Sequence, residues 1–319
     1  MAEPVRITGH TMVEIEVIVV TLERHGCSGR AEAAGVYYRG DRAASMAAQI
    51  ERSRAMIEGG VDHESLRGLM SPGGARNAID CALWDLEARL HGRAVWQLAG
   101  LDRPRPLLTT FTCGAGDPRD MAASARRYGE ARAIKLKLTG EPVDAERVLA
   151  VREARPDVWL GVDANQGFTR TSLECLLPVL HQAQVALIEQ PFPVGAEAWL
   201  DDFHAPIPIA ADESAQCLED LSALAGRFDV VNIKLDKCGG LTEALAMARS
   251  AREHGLDPMV GNMMGTSLAM APAFLVGQLC KVVDLDGPVF LKSDRSVTVE
   301  YRDGMVTCPD ALWGGAAAV

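Results

Sequence analysis

The sequence predicts an α/β protein: a modified (β/α) TIM-type barrel carrying an N-terminal α+β capping domain that the C-terminal tail completes. Three observations predict it. From residue 105 onward, short apolar runs alternate with helix-like stretches, the pattern of βαβ units in a parallel sheet. About eight such runs fit into roughly 180 residues, enough to close a barrel on itself although shorter than usual. Before residue 105, strands and then helices follow one another without alternation, as in a separate small α+β unit. The expected divisions are 1–104 for the cap, 105–287 for the barrel and 288–319 for a tail packing back on the cap.

Taken in order, Val13 to Leu22 (VEIEVIVVTL) carries a strand signal with partial alternation. A Tyr-rich loop, Gly35 to Asp41, precedes a helix-like stretch from Ala43 to Ile57. Beyond Ser71-Pro72-Gly73-Gly74, residues Ile79, Ala82, Leu83, Leu86 and Leu90 share one face at helical spacing, and Gly92 supplies the stop. The prolines of RPRP, Arg103 to Pro106, mark a boundary. The barrel strands are then LLTTFTCG, AIKLKL, WLGVDAN, VALIEQP, IPIAADE, DVVNIKL, DPMVGNM and KVVDLD. Helices are expected at Asp144–Ala154, Thr171–His181 and Thr242–His254, with the last repeats compressed. After Pro288, SVTVEYRDGMVTC reads as a hairpin turning at Asp303-Gly304.

Composition narrows the class of partner. Among 319 residues, 48% are hydrophobic and 24% charged, as in ordinary globular chains, and the net charge of −11 argues against nucleic acid or anionic membrane surfaces. No apolar run approaches a membrane span and no targeting signal opens the chain, so a cytoplasmic protein is expected. The eight cysteines include no CxxC pair, which suits free thiols in a reducing compartment.

Chemistry enters with Ala133 to Thr139, AIKLKLT. Strand side chains alternate, so Lys135 and Lys137 share one face, away from Ile134, Leu136 and Leu138. Two ammonium groups side by side repel, and burial adds to the effect, so at least one is expected to have a lowered pKa and to serve as a base. The alternative is a pair of solvated lysines on an edge strand. Further ionisable residues end the next strands: Asp163, Glu189, Asp212 with Glu213, and Lys234. From Lys137 to Asp163, Glu189, Asp212 and Lys234 the steps are 26, 26, 23 and 22 residues, each about one βα unit. The charges therefore converge on the carboxyl-terminal mouth of the barrel. Any one acid alone is as well explained by a salt bridge or a helix N-cap. Three in register between lysines repel unless a cation lies among them, and oxygen donors with room for water and substrate suit Mg²⁺. Lys137 on the second strand and Lys234 on the sixth face each other across the axis. A base on each face of one carbon, beside a metal, is the arrangement for 1,1-proton transfer through an enediolate.

KLKLT, VDANQ, IEQPF, ADES and NIKLDKCGG, together with GGARNAIDCALWDLEARL in the cap, resemble the muconate-lactonising branch of the enolase superfamily. The resemblance implies Asp163, Glu189 and Asp212 as Mg²⁺ ligands and Lys137 and Lys234 as the two acid/base residues. It further implies Lys135 as an accessory lysine and Asn165 and Glu213 as partners behind the metal site. VDLDGP, Val283 to Pro288, resembles the eighth-strand signature of dipeptide epimerases of the L-Ala-D/L-Glu type. Asp284 and Asp286 lie two apart on one face, and in that family such a pair binds the substrate's α-ammonium group. An ordinary DG turn after a strand is the plainer reading of the same residues.

The resemblance thus implies an isomerase that acts on a small dipeptide, self-associates as its relatives commonly do, and uses Lys137 toward the L-configured and Lys234 toward the D-configured substrate. The alternatives on the same scaffold are N-acylamino acid racemisation and cycloisomerisation, including succinylbenzoate synthesis; a non-catalytic binding protein is the remaining one. The chain departs from the Glu-specific pattern in VRITGHTMV, Val5 to Val13, where Gly9, His10 and Met12 stand in the region of the usual arginine and Arg6 is out of register. A neutral or apolar second residue is therefore expected. His10, Tyr37, Tyr38, Arg39, Met263 and Met264 are the candidates for the pocket that reads it, plain packing being the alternative for the tyrosines and methionines.

Overall fold

The structure, a computed structural model, describes residues 1–2, 4–7 and 10–316, with the backbone alone at residues 6, 7 and 10. The cap begins with a short hairpin, β1 (Val5–Ile7) and β2 (His10–Met12), in which Val5 lies opposite Met12. A second antiparallel pair follows, β3 (Ile18–Arg24) and β4 (Cys27–Ala33). The strand expected from Val13 starts five residues later, at Ile18, inside the apolar run Val17 to Val20. The helical stretch from Ala43 divides at Ser53 into α1 (Ala43–Arg52) and α2 (Arg54–Glu58), and α3 (His63–Leu69) and α4 (Gly74–His91) complete the layer. α4 is buried along most of its length, because its apolar face packs on β4 while Arg76, Asp80 and Asn77 turn toward the barrel and find partners there. α5 (Val95–Leu98) leads out of the cap.

The two-residue β5 (Leu107–Leu108) comes before the barrel sheet rather than within it. The sheet itself runs through β6 (Phe111–Cys113), α6 (Pro118–Arg127), β7 (Ala133–Lys137), α7 (Asp144–Ala154), β8 (Trp159–Asp163), α8 (Arg170–Gln182) and β9 (Val185–Glu189). It continues with β10 (Ile209–Ala211), the one-turn α9 (Leu221–Leu224), β11 (Val230–Ile233), α10 (Leu235–Cys238) and α11 (Leu241–Ala251). β12 (Asp257–Val260), α12 (Ser267–Gly277) and β13 (Val282–Val283) end it. The eight strands β6 to β13 pair in sequential, parallel order. First and last approach one another at Thr110, whose N–H donates to the Val283 carbonyl at 3.0 Å. Compression falls in the middle repeats and not the last ones. Between β9 and β10 there is only a short 3₁₀ turn, Glu197–Leu200, while α11 and α12 run eleven residues each.

Alternation along the strands explains both layers of the barrel. Ile134, Leu136 and Leu138 point outward into the sheet–helix core and are fully buried. The opposite faces carry an apolar floor of Leu187, Ala210, Val230 and Met259 with Trp159 and Val282. On those same faces, two or four residues further along, stand Glu189, Asp212, Lys234, Asp163 and Asp284. The floor excludes water from beneath the charges.

The tail forms β14 (Glu300–Arg302) and β15 (Met305–Thr307), turning at Asp303 and Gly304, both with positive φ as the tight hairpin turn requires. The tail was expected on the cap, but this hairpin pairs β15 with β5. Met305 and Val306 match Leu108 and Leu107. The residues after it do reach the cap: Gly314 accepts from Val95 N–H at 2.7 Å and donates to Asp85 at 2.8 Å.

Candidate active site

β7, β8 and β9 place Lys137, Asp163 and Glu189 directly opposite one another in the sheet register, so their side chains leave the strands at one level. Asp212 follows β10 and Lys234 follows β11 at the same end of the sheet. Carboxylate oxygens of Asp163, Glu189 and Asp212 lie within 4.8 Å of one another, and all three residues are buried. Among the described residues this is the one acidic or thiol group with spacing suited to a metal ion. The donor set is all oxygen, which fits a hard divalent cation.

The lysines surround the triad. Lys137 donates to Asp163 at 2.5 Å, and Lys234 donates to Asp212 at 2.7 Å. Lys135 donates to Asp284 and lies 3.5 Å from Glu189 and 3.7 Å from Asp163. Asp284 also accepts from the Thr110 hydroxyl at 2.5 Å, and Asp286 accepts from the Thr112 N–H at 2.7 Å. Asn165 donates its N–H to Asp163 at 2.9 Å and its amide to Glu213 at 3.4 Å.

A cleft opens above these groups, lined by Lys135, Lys137, Lys234, Asp212, Asp284 and Asp286, with Asn165 and Glu213. Tyr37, Tyr38, Met263 and Met264 line it as well, together with Val5, Met12, Asn262 and Phe290. Arg39 turns away to Gln216, to which it donates at 3.0 Å. The side chains of Arg6 and His10, and the whole of Gly9, lie outside the described residues.

Burial pushes Glu189 up to about 7, and the charge of Asp163 adds to it. Burial with the charges of Asp212 and Asp163 pushes Glu213 up to about 8. Burial and Asp284 hold Asp286 at about 6. Asp212 goes the other way, since the ammonium groups of Lys234 and Lys237 overcome its burial and hold it well below the carboxylate range. The expectation of a lowered lysine beside Lys137 does not hold for Lys135. Burial does lower it, but Asp284, Glu189 and Asp163 together outweigh that and raise it above its ordinary value. Lys234 is raised in the same way by Asp212 and Glu189. The repulsion between neighbouring lysines is a weaker influence than carboxylates converging from strands remote in sequence.

Three supporting residues were not among those expected from the sequence. Lys237, fully buried, donates to Asp212 Oδ1 at 2.6 Å and to the Asn232 carbonyl at 2.9 Å. Asn232 donates to Glu189 at 2.7 Å. The Gln190 side chain accepts from Asp212 N–H at 2.9 Å and Ser214 N–H at 3.1 Å. Asn232 was findable, standing two residues before Lys234 on the same strand face.

This arrangement has close parallels. Residues 1–100 match the model of the mandelate racemase/muconate lactonizing enzyme N-terminal domain, and residues 119–314 match that of the enolase C-terminal domain-like family. The L-Ala-D/L-Glu epimerase of Escherichia coli K12 is 40% identical over 91% of this chain and 91% of its own. An enolase family member from Agrobacterium tumefaciens with homology to dipeptide epimerases, solved with sodium and L-Ala-L-Glu, superposes with a TM-score of 0.94 at 38% identity, covering 98% of this chain and 95% of that one. A dipeptide epimerase from Enterococcus faecalis V583, solved with Mg and L-Leu-L-Tyr, gives a TM-score of 0.89 at 27% identity over 98% and 94%. With both domain models matched across most of its length and its relatives named as epimerases and racemases, the chain is an isomerase and belongs to the mandelate racemase/muconate lactonizing enzyme family of the enolase superfamily.

Proposed function

We propose that this protein is a Mg²⁺-dependent dipeptide epimerase, inverting the α-carbon of a dipeptide's C-terminal residue by two-base proton transfer. The observation that carries this reading is one cleft holding three things. Lys137 and Lys234 come from the second and sixth of eight strands, the buried carboxylate triad lies between them, and the Asp284/Asp286 pair stands just past the end of the last strand. Asp163, Glu189 and Asp212 would hold the metal, which when bound supplies positive charge to the substrate carboxylate as the α-proton leaves. Lys137 removes the α-proton from the L-configured residue and Lys234 returns one to the opposite face, with the roles exchanged for the D form. Asp284 and Asp286 hold the free α-ammonium group, a cation that a buried site accepts only with anionic partners. Lys135 keeps Asp284 ionised and in place, and Asn165 and Glu213 support the triad from its open side.

The second side chain of the substrate is neutral or apolar. The pocket wall at Val5, Met12, Met263, Met264 and Phe290 is apolar, and the three lysines lining the cleft each donate to a carboxylate or lie within ion-pair distance of one. A substrate side-chain carboxylate finds no uncommitted cation among the described lining residues. In this reading residues 1–104 and 288–319 supply Val5, Met12 and Phe290 to that wall, and residues 105–287 supply its two methionines together with the charges.

Incubating a dipeptide library with the protein and Mg²⁺ in D₂O, read by mass spectrometry, tests both parts. Deuterium entering at the C-terminal α-carbon of L-Ala-L-Leu and similar pools is the expected result. Exchange confined to N-acylated amino acids would overturn the epimerase reading. A kcat/KM far higher for L-Ala-L-Glu than for every apolar dipeptide would overturn the preference.

A further inference from the structure

Glu32 stands on β4 in the cap, and its carboxylate is fully buried without belonging to the charged ring. It accepts from the Thr266 N–H at 2.7 Å, from the Thr266 hydroxyl at 2.6 Å, and from the Arg295 guanidinium of the tail. Arg295 also donates to the Thr266 hydroxyl at 3.0 Å. Three segments far apart in sequence thus meet on one carboxylate. What they fix is the connection after β12, Gly261 to Thr266, which carries Met263 and Met264 into the substrate cleft.

That connection needs fixing. Met264 has φ +66°, a left-handed conformation in which a residue with a Cβ is strained, by roughly 1–3 kcal/mol. Such a conformation persists only where its surroundings over-determine it. From the barrel side, Asn262 accepts from the Met264 N–H at 2.9 Å and donates to the Asp284 carbonyl at 2.8 Å. From the cap side, Glu32 clamps Thr266. The strained methionine is held between two anchors, one of them in the other domain.

We propose that Glu32 is a positioning residue for substrate selection, setting Met263 and Met264 as the wall against the substrate's second side chain while leaving the proton transfer itself untouched. The proposal rests on the dipeptide reading. Among the described residues, no hydrogen bond joins Glu32 to either Lys137 or Lys234 or to the triad, so its influence reaches the substrate through the position of the two methionines. Losing the clamp loosens a wall that touches the substrate's second side chain and not the reacting carbon, so binding falls more than chemistry.

The experiment compares α-proton exchange in D₂O for L-Ala-L-Leu, which carries an apolar second side chain, and L-Ala-Gly, which has no second side chain. Wild-type protein exchanging neither dipeptide would refute the dipeptide reading itself. Given wild-type exchange, Glu32→Gln should raise KM for L-Ala-L-Leu about tenfold with kcat within about threefold, and leave kcat/KM for L-Ala-Gly within about twofold. Equal losses on both substrates, or no change on either, would overturn the proposal. Should Glu32→Gln fail to fold, Thr266→Val decides, because it removes only the hydroxyl and keeps the backbone bond. The same split between the two substrates is required of it.

Discussion

Replacing Lys237 by Met keeps the length of the side chain and removes its charge and donors. The Lys237 side chain is 1% exposed and that of Asp212 is 2% exposed, so the pair is insulated from water. Removing one partner of a buried ion pair costs about 3–5 kcal/mol, because the other charge stays behind. Asp212 retains Lys234 at 2.7 Å, which places the expected loss at the lower end, about 3 kcal/mol. That is a large part of the ~5–15 kcal/mol that holds a typical domain together, and at ~2–4 °C per kcal/mol it corresponds to a fall in Tm of about 6–12 °C. Thermal melting followed by circular dichroism in EDTA measures it. Adding Mg²⁺ should narrow the gap between parent and variant, since removing a cation beside the triad favours a metal bound there. A variant melting within about 2 °C of the parent in EDTA would refute the claim that Lys237, beside Lys234, helps hold Asp212 ionised in this interior.

Other expectations follow from the same geometry. Lys137→Ala and Lys234→Ala should each lower epimerisation at least about a hundredfold while Mg²⁺ binding by calorimetry stays within a few fold; if both variants still epimerise well, the two-base mechanism is wrong. Gly29→Ala should move the denaturation midpoint sharply down, by about 3 kcal/mol or more, since a Cβ there would lie 2.1 Å from the Leu86 nitrogen and 2.3 Å from the Ala82 carbonyl, backbone atoms of α4 that cannot step aside. His63 lies between Asp80 at 2.9 Å and Glu87 at 3.3 Å; burial lowers it, but the two carboxylates outweigh that and hold it at about 9. Its folded value is above the unfolded one, so its contribution, at most about 3 kcal/mol, is complete below about pH 6.5 and disappears as pH rises through about 9. The stability difference between the parent and His63→Gln should therefore shrink over that window, and a difference independent of pH would refute it.

The barrel was legible because its signals are local. Each strand is a short apolar run, several are followed by an ionisable residue, and strand-to-strand spacing near one βα unit is enough to bring Asp163, Glu189 and Asp212 to one end of the sheet. Helix Asp144–Ala154 was legible to the residue for the same reason. What sequence could not supply was the sum of fields from distant segments. The raised Lys135 depends on Asp284, 149 residues away. Lys237 reads as an ordinary helix lysine until Asp212 is brought against it. The tail hairpin was visible from its Asp-Gly turn, but its partner was not, since a two-residue strand such as β5 leaves almost no periodic trace. The break at Ser53 likewise interrupts a pattern that runs on in the sequence without Gly or Pro to announce it.

The meeting of β6 and β13 through Thr110 and Val283 also bears on the order in which the molecule comes into being. Thr110 bonds Asp284 and Thr112 bonds Asp286, each across 174 residues of chain, so these carboxylates reach their places only after nearly the whole polypeptide exists. The residues of the triad, by contrast, stand on successive strands and can assemble as those strands are added one by one. On a ribosome delivering ~5–20 residues per second, the delay between Thr110 and Asp284 is about 10–35 seconds. During that interval the nascent sheet has two open edges and Lys135 lacks its nearest anion. Asp284 directly follows the strand that meets β6, so the residues of the triad are all synthesised before the pair proposed to recognise a substrate.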